Sequence, residues 1–377
     1  MAGMKHRFRI IDADGHVIEP RGMWERYIDP AFRDRAPRVA KHPSGHVRTY
    51  VDGRPTPRVE GPNSVSLAMQ ASFSKVIREY LGPYLEAQYS PESQVKALDE
   101  GGIEMSFLYP SQGLYTAAID DLDPALAAAI CRAYNDWIVD FCACAPDRLK
   151  PVGMLVALHD PVAAVGEVQR VAGRGFKAVF IRPNPIHGRN LDDPAYEPFW
   201  AECARLGVAV GVHEGVSAEL PTLGADRFRT FFAAHACSHP MEQMAAMAAL
   251  IGGGVLERHP GLRVAFLESG CGWLPYWLWR LDEHWEKTAG VEGEPALPVR
   301  PSEYFRRQCW ISFEPEEPYL PQVLDLVGAD RLLFASDFPH PDHKWPEIVE
   351  EIVALPLPDA AKAKILWDNP AAFYGLA

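Results

Sequence analysis

Eight short, nearly unbroken apolar runs recur along this chain of 377 residues, and the segments between them carry helical spacing. That alternation limits the fold more than any other feature. The runs are Arg9–His16, Ile103–Pro110, Leu149–Leu155, Ala178–Arg182, Val208–His213, Arg263–Glu268, Gln308–Phe313 and Arg331–Asp337. Strands covered on both faces read this way, because neither side of the pleat meets water. The clearest helical segments are Pro124–Cys144, Pro161–Ala172, Pro194–Leu206, His239–Glu257, Leu274–Trp285 and Leu320–Gly328. Several open on proline, which suits the first turn of a helix. Alternating strands and helices imply a parallel sheet. Eight units in a chain of this length predict an α/β fold, a closed (β/α)8 barrel in a single domain. No GxGxxG follows any of the runs, which weakens a dinucleotide-binding sheet.

One stretch breaks the alternation. Residues 18–96 are polar and proline-rich, and contain a hairpin pattern over His46–Pro55 with Asp52-Gly53 as its turn. We read it as an insertion after the first strand. Such insertions lie over the C-terminal face of a barrel, so this one is expected to cap the site.

The chemistry-bearing residues fall at the ends of the apolar runs. The first run ends Asp12-Ala-Asp14-Gly-His16, the fifth at His213, the sixth at Glu268 and the eighth at Asp337. Residues two apart on a strand share a side, so Asp14 and His16 are expected to project together, with Asp12 one step deeper. Polar groups converging at one end of a barrel are costly to bury, and a metal ion relieves that cost. His239 follows at the expected N-terminal edge of the helix after the fifth strand. His235, His239 and Glu242 are spaced as one helical face. The candidate metal set is therefore Asp14, His16, His213, His239, Glu268 and Asp337, with Glu268, Asp337 and His239 as candidate catalytic groups. His235, Glu314 and His340 stay open between a site role and a structural one. The aromatic run from Trp273 to Trp285 reads as core packing, with one edge available to a pocket.

Composition narrows the partners. Lys plus Arg total 37 against 50 Asp plus Glu, a formal charge of −13. That balance speaks against nucleic acid and against an anionic membrane surface as partners. The start has no signal-peptide pattern, and no run approaches the roughly 20 apolar residues of a membrane span. Seven scattered cysteines without a CxxC pair fit reduced thiols, and a cytoplasmic location is expected.

The segments Ile11-Asp-Ala-Asp14-Gly-His16, His213, Glu268-Ser-Gly-Cys-Gly-Trp-Leu-Pro-Tyr-Trp277 and Ala335-Ser-Asp337-Phe-Pro-His340 together resemble the amidohydrolase-2 branch of the amidohydrolase superfamily. That branch includes aminocarboxymuconate-semialdehyde decarboxylase and related aryl decarboxylases. The resemblance implies one metal, usually zinc, held by a His-x-His pair on strand one, a His on strand five and an Asp on strand eight. It also implies an acid/base His after strand six. This chain departs twice, with Asp14 in place of the first His and Glu268 in place of the strand-six His. Three carboxylates suit the charge of two metal ions better than one, and mixed imidazole–carboxylate ligation is used by non-haem iron oxygenases. The chain thereby also resembles TIM-barrel non-haem diiron monooxygenases of bacterial secondary metabolism. That resemblance implies two Fe ions, O2-dependent hydroxylation of a hydrophobic, CoA-linked acid, and a ferredoxin-like electron donor. Arg48, Arg54, Arg58, Lys75 and Arg78 are then candidates for a CoA tail. The alternative is a mononuclear Zn or Mn hydrolase or non-oxidative decarboxylase. A homodimer is compatible with either.

Overall fold

The computed structural model describes residues 5–56, 67–155, 158–215, 219–293, 296–341 and 345–376. Eight parallel strands form one sheet in sequential order. They are β1 (Ile11–Val17), β2 (Met105–Pro110), β3 (Leu149–Met154), β4 (Ala178–Ile181), β5 (Ala209–His213), β6 (Val264–Leu267), β7 (Cys309–Phe313) and β8 (Leu332–Phe334). Every residue of β1, β4, β5, β6, β7 and β8 is buried. That is the physical meaning of their unbroken apolar runs: one face fills the barrel and the other meets helices. The architecture is a (β/α)8 barrel.

The eighth strand is shorter than the sequence suggests and ends at Phe334, so Asp337 stands in the loop beyond it. Past that point the seam between β8 and β1 is closed by hydrogen bonds. Asp337 N–H donates to Asp14 O at 3.0 Å and His16 N–H to Phe338 O at 2.7 Å. Deeper in, the Asp12 carboxylate accepts from Ser336 N–H at 2.9 Å and Ser336 Oγ at 2.8 Å. It also takes Ser106 Oγ from β2 at 2.6 Å. Asp12 thus ties β1 to both neighbours. Gly15 makes room for this knot, because a Cβ there would come within 2.4 Å of Asp12 Oδ2 and of Ser106 Oγ. The strand register shifts between Asp12 and Gly15, and the bulge separates Asp12 from the side chains it was expected to accompany.

The helix after β5 also differs from expectation. It spans Phe231–Gly252 and starts eight residues before His239, with Thr230 as its cap. His239 therefore sits two turns inside the helix. Pro240 within it costs one backbone bond, and pulls the sequence signal for a helix start to the wrong place.

The hairpin is present as Val47–Val51 and Arg54–Thr56, joined by Arg38–Lys41 into a three-stranded antiparallel sheet. Arg35 pins it by pairing with Asp52 at 2.7 Å and with Asp123, the cap of helix Pro124–Cys142, at 2.9 Å. A helix over Leu67–Tyr80 continues the insertion. The insertion ends at Ser90, whose hydroxyl caps the first barrel helix, Pro91–Gly101. Among the described residues no helix is long and apolar enough to cross a membrane, and the seven cysteines form no disulfide.

Candidate metal centre

Three side chains converge at the C-terminal mouth of the barrel. Asp14 and His16 come from β1 and His213 from the end of β5, each at most 2% exposed. One donor atom from each lies within 4.8 Å of the others. His16 Nδ1 lies 2.8 Å from Pro110 O, a carbonyl that only accepts. Its proton is therefore on Nδ1, and Nε2 turns a lone pair inward. His213 Nδ1 makes the same bond to Glu214 O, which turns its Nε2 inward. A backbone carbonyl on the outer nitrogen is how metal-binding imidazoles are held in register.

The inward atoms face one another without a donor among them. His16 Nε2, His213 Nε2 and Asp14 Oδ1 are buried and hydrogen-bond to nothing. Left so, each costs roughly 1–3 kcal/mol. Their spacing explains what they fit. His16 Nε2 is 3.5 Å from Asp14 Oδ1 and 3.3 Å from Asp337 Oδ1. His213 Nε2 is 3.4 Å from Asp14 Oδ2 and 3.4 Å from Glu268 Oε2. Nitrogen and oxygen ligands about 2.1 Å from a tetrahedral ion sit about 3.4 Å from each other. Burial drives the His16 and His239 imidazoles far below their ordinary pKa, with neighbouring His340 and His235 adding to it. Both rings are neutral at pH 7, the state a ligand requires. Burial pushes the Asp14 carboxyl up while His213 pulls it down.

Glu268 and Asp337 reach the mouth from loops. Their φ values, +50° and +53°, lie in the left-handed region, which costs a non-glycine residue about 1–3 kcal/mol. Glu268 N–H is held by Ser312 Oγ at 3.0 Å. Asp337 is held by the β1 seam and by His340, whose Nδ1 is 2.7 Å from Asp337 Oδ1. His340 Nε2 meets Ser111 Oγ at 2.8 Å. His16, Asp337 and His340 form a second trio of suitable atoms, but both nitrogens of His340 are committed to these protein partners. His239 stands outside both trios. Its Nε2 is 3.9 Å from Glu268 Oε1 and its Nδ1 is 3.1 Å from Ser238 Oγ.

Above the trio lies a cavity of about 830 Å³, reached by His235, His239, Glu268, Glu314, Asp337 and His340. The remaining lining is mostly apolar. The aromatic run does not take part. Trp273, Trp277 and Trp285 are half-buried and donate to the carbonyls of Ser269, Met244 and Leu297, while Tyr276 and Trp279 are exposed. None of the described cations considered for a CoA tail lines the cavity. Arg48 is buried, Lys75 and Arg78 are exposed, Arg54 faces Asp121 at 3.9 Å, and Arg58 lies outside the described residues with Asp342 and His343.

Several residues that organise the mouth escaped sequence reasoning. The buried Glu19 carboxylate accepts N–H from Ser111, Gln112 and Gly113, fixing the loop that carries Ser111. Arg182, 1% exposed, donates to Glu214 at 2.6 Å and to Leu114 O and Gly215 O. It thereby holds two walls of the cavity and the residue whose carbonyl orients His213. Arg182 ends an apolar run with a charge, the same signal that marked Glu268 and Asp337.

Comparison with known proteins matches residues 11–376 to a family described as amidohydrolase. A γ-resorcylate decarboxylase from a Rhizobium strain is 29% identical over 268 residues, covering 66% of this chain and 76% of that protein. The 2-amino-3-carboxymuconate-6-semialdehyde decarboxylase of Dictyostelium discoideum is 26% identical over 298 residues, covering 76% and 77%. The crystal structure of a 5-carboxyvanillate decarboxylase from Novosphingobium aromaticivorans, complexed with manganese and a nitrobenzoic acid, superposes with a TM-score of 0.70. It shares 20% identity and covers 99% of this chain and 97% of that one. These relatives correct the diiron reading. They carry the name of decarboxylases and none that of an oxygenase, so two irons and O2-dependent hydroxylation are set aside.

Proposed function

This chain belongs to the amidohydrolase family, and from that premise we propose that it is a metal-dependent decarboxylase of aromatic carboxylic acids that works without redox chemistry. The observation that carries the proposal is the buried trio of Asp14 Oδ1, His16 Nε2 and His213 Nε2, none of which has a hydrogen-bond partner, beside Glu268 and Asp337, which line a cavity with apolar walls. Asp14, His16, His213 and Asp337 would hold one divalent ion. Manganese or zinc suits nitrogen and oxygen donors of this kind. When bound, the ion supplies a fixed positive charge that anchors the acid and steadies the negative charge left as CO2 departs.

The chain's own residues supply the rest. Decarboxylation replaces CO2 by a proton on the same carbon, so a cavity-facing acid must deliver that proton. Glu268 lines the cavity between His213 and His239, and we assign the transfer to its carboxyl. His239, neutral and buried, faces Glu268 Oε1 and keeps it turned towards the reacting carbon. An aromatic acid that fills the space between the apolar walls displaces water, which strengthens every charge interaction at the mouth.

The test is metal-loaded protein incubated anaerobically with γ-resorcylate and with 5-carboxyvanillate. The expected result is one divalent ion per chain and CO2 release from at least one acid. Glu268→Gln should keep the ion and lose turnover by at least about a hundredfold. Turnover that requires O2, or CO2 release unaffected by Glu268→Gln, contradicts the assignment.

A further inference from the structure

The cavity is larger than a single-ring acid needs, and its walls are of two kinds. The metal-facing end is polar, with Ser111, His239, Glu268, Asp337 and His340. Its apolar lining is Ile18, Met69, Phe73, Phe231, Pro240 and Pro341, of which Phe231 stands two turns along its helix from His239. Pockets of about 300–1,000 Å³ hold drug-sized ligands, and this one measures about 830 Å³. A resorcylate ring placed at the metal end leaves the apolar end filled with water, which is unfavourable next to phenylalanine and methionine side chains.

The apolar end has an aromatic order of its own. Phe231, His235 and His239 follow at four-residue spacing on the helix after β5, so their rings lie above one another. Phe231 and His235 are nearly parallel, 4.7 Å apart at 16°, and His235 and His239 are 4.7 Å apart. The series runs from Glu268 outward along the cavity. Met69 and Phe73, one turn apart on the insertion helix Leu67–Tyr80, line the same cavity. That helix belongs to the insertion whose sheet Arg35 ties to the barrel.

The geometry points to a fused-ring aromatic acid as the substrate. Its carboxylate-bearing ring would lie at the metal end, and its second ring on the Phe231–His235 stack, with Met69 and Phe73 completing the apolar end. Phe73 and Phe231 then set specificity. The inference rests on the decarboxylase reading for the chemistry at the metal end, and on the cavity for the size of the acid.

The experiment compares γ-resorcylate with its benzo-fused naphthoate analogue on manganese-loaded protein. Dissociation constants are taken by calorimetry and CO2 release is followed separately. Burying a second ring should tighten binding at least about tenfold. Phe73→Ala and Phe231→Ala should each shrink that preference severalfold, and melting temperatures show that both variants fold. Phe73→Leu, which keeps apolar bulk, should retain most of it. Equal affinity for the two acids, or tighter binding of γ-resorcylate, overturns the size inference. A naphthoate preference that neither alanine variant reduces overturns the placement of the second ring. Tenfold tighter naphthoate binding with no CO2 from either acid supports the size inference and defeats the decarboxylase reading. CO2 release without a size preference does the reverse. Failure of both acids to bind overturns both.

Discussion

Two sets of buried acids surround the mouth of this barrel, and they differ in what faces them. Around and beneath the rim, Asp12, Glu19, Glu214 and Glu242 accept from hydroxyls, backbone N–H groups or a guanidinium. At the centre, Asp14 faces the lone-pair nitrogens of His16 and His213. Both sets are buried, so burial does not distinguish them. The partner does: a carboxylate among donors is structural, and a carboxylate among acceptors waits for a cation.

The sharpest way to break this comparison is at the rim. Arg182→Met leaves the Glu214 carboxylate buried without its cation, which should cost about 3–5 kcal/mol of unfolding free energy. Denaturant titration measures it. Adding Glu214→Leu to the same chain should recover most of the loss, because an apolar pair of similar volume restores what the ion pair provided. A single variant within about 1 kcal/mol of the wild type would show that the rim is not held by its charges.

A smaller effect follows from Glu242. Burial, reinforced by Glu214, raises its carboxyl from 4.5 to about 7. The native state then binds this proton where the unfolded chain has released it. Stability contributed by the protonated form is therefore lost as pH rises from about 4.5 to about 7. At 1.36 kcal/mol per pKa unit the change is at most about 3 kcal/mol. His16 and His239 act in the opposite direction. Their depressed values mean stability is lost as pH falls through the ordinary histidine range. The informative measurement is the difference between wild type and Glu242→Gln across pH 4–8. Gln keeps an acceptor for Leu223 N–H and has no proton to release, so the difference should move in the variant's favour as pH rises. A flat difference contradicts the assignment.

The barrel was legible because it is written in periodicity. Seven of the eight runs became strands within two residues of their expected ends, and each strand-end acid or imidazole arrived at the same face. What stayed hidden depends on contacts between distant residues. Asp12 and Asp14 are both acids on the inner side of one strand, and only the bulge at Gly15 and the serines at 106 and 336 separate their roles. Arg182 and Glu19 act on loops 68 and 92–94 residues away in sequence. His239 was found by type and placed wrongly by local signal, since Pro240 resembles a helix start. The metal count failed for a different reason: all three counted acids do face imidazole nitrogens, but summed charge does not say how many ions such a group shares.

The comparison is most finely tested by making one conservative change on each side of Gly15. Asp14→Asn places an amide where it can donate to His16 Nε2 or His213 Nε2, so two acceptors that now face each other gain a hydrogen bond. The metal-free variant should therefore be at least as stable as wild type, by a margin of about 1 kcal/mol or less. Asp12→Asn turns an amide towards Ser106 or Ser336, which already donate, and should cost about 1–3 kcal/mol. Manganese separates the two further. At a hundredfold excess over its dissociation constant an ion adds about 2.7 kcal/mol to a native state that binds it. Wild type and Asp12→Asn should both show that gain in thermal unfolding, and Asp14→Asn should show almost none. Should metal-free Asp14→Asn be the less stable variant of the pair, the central acid is a structural residue like its neighbours on the rim, and the trio it forms with His16 and His213 is not an ion site.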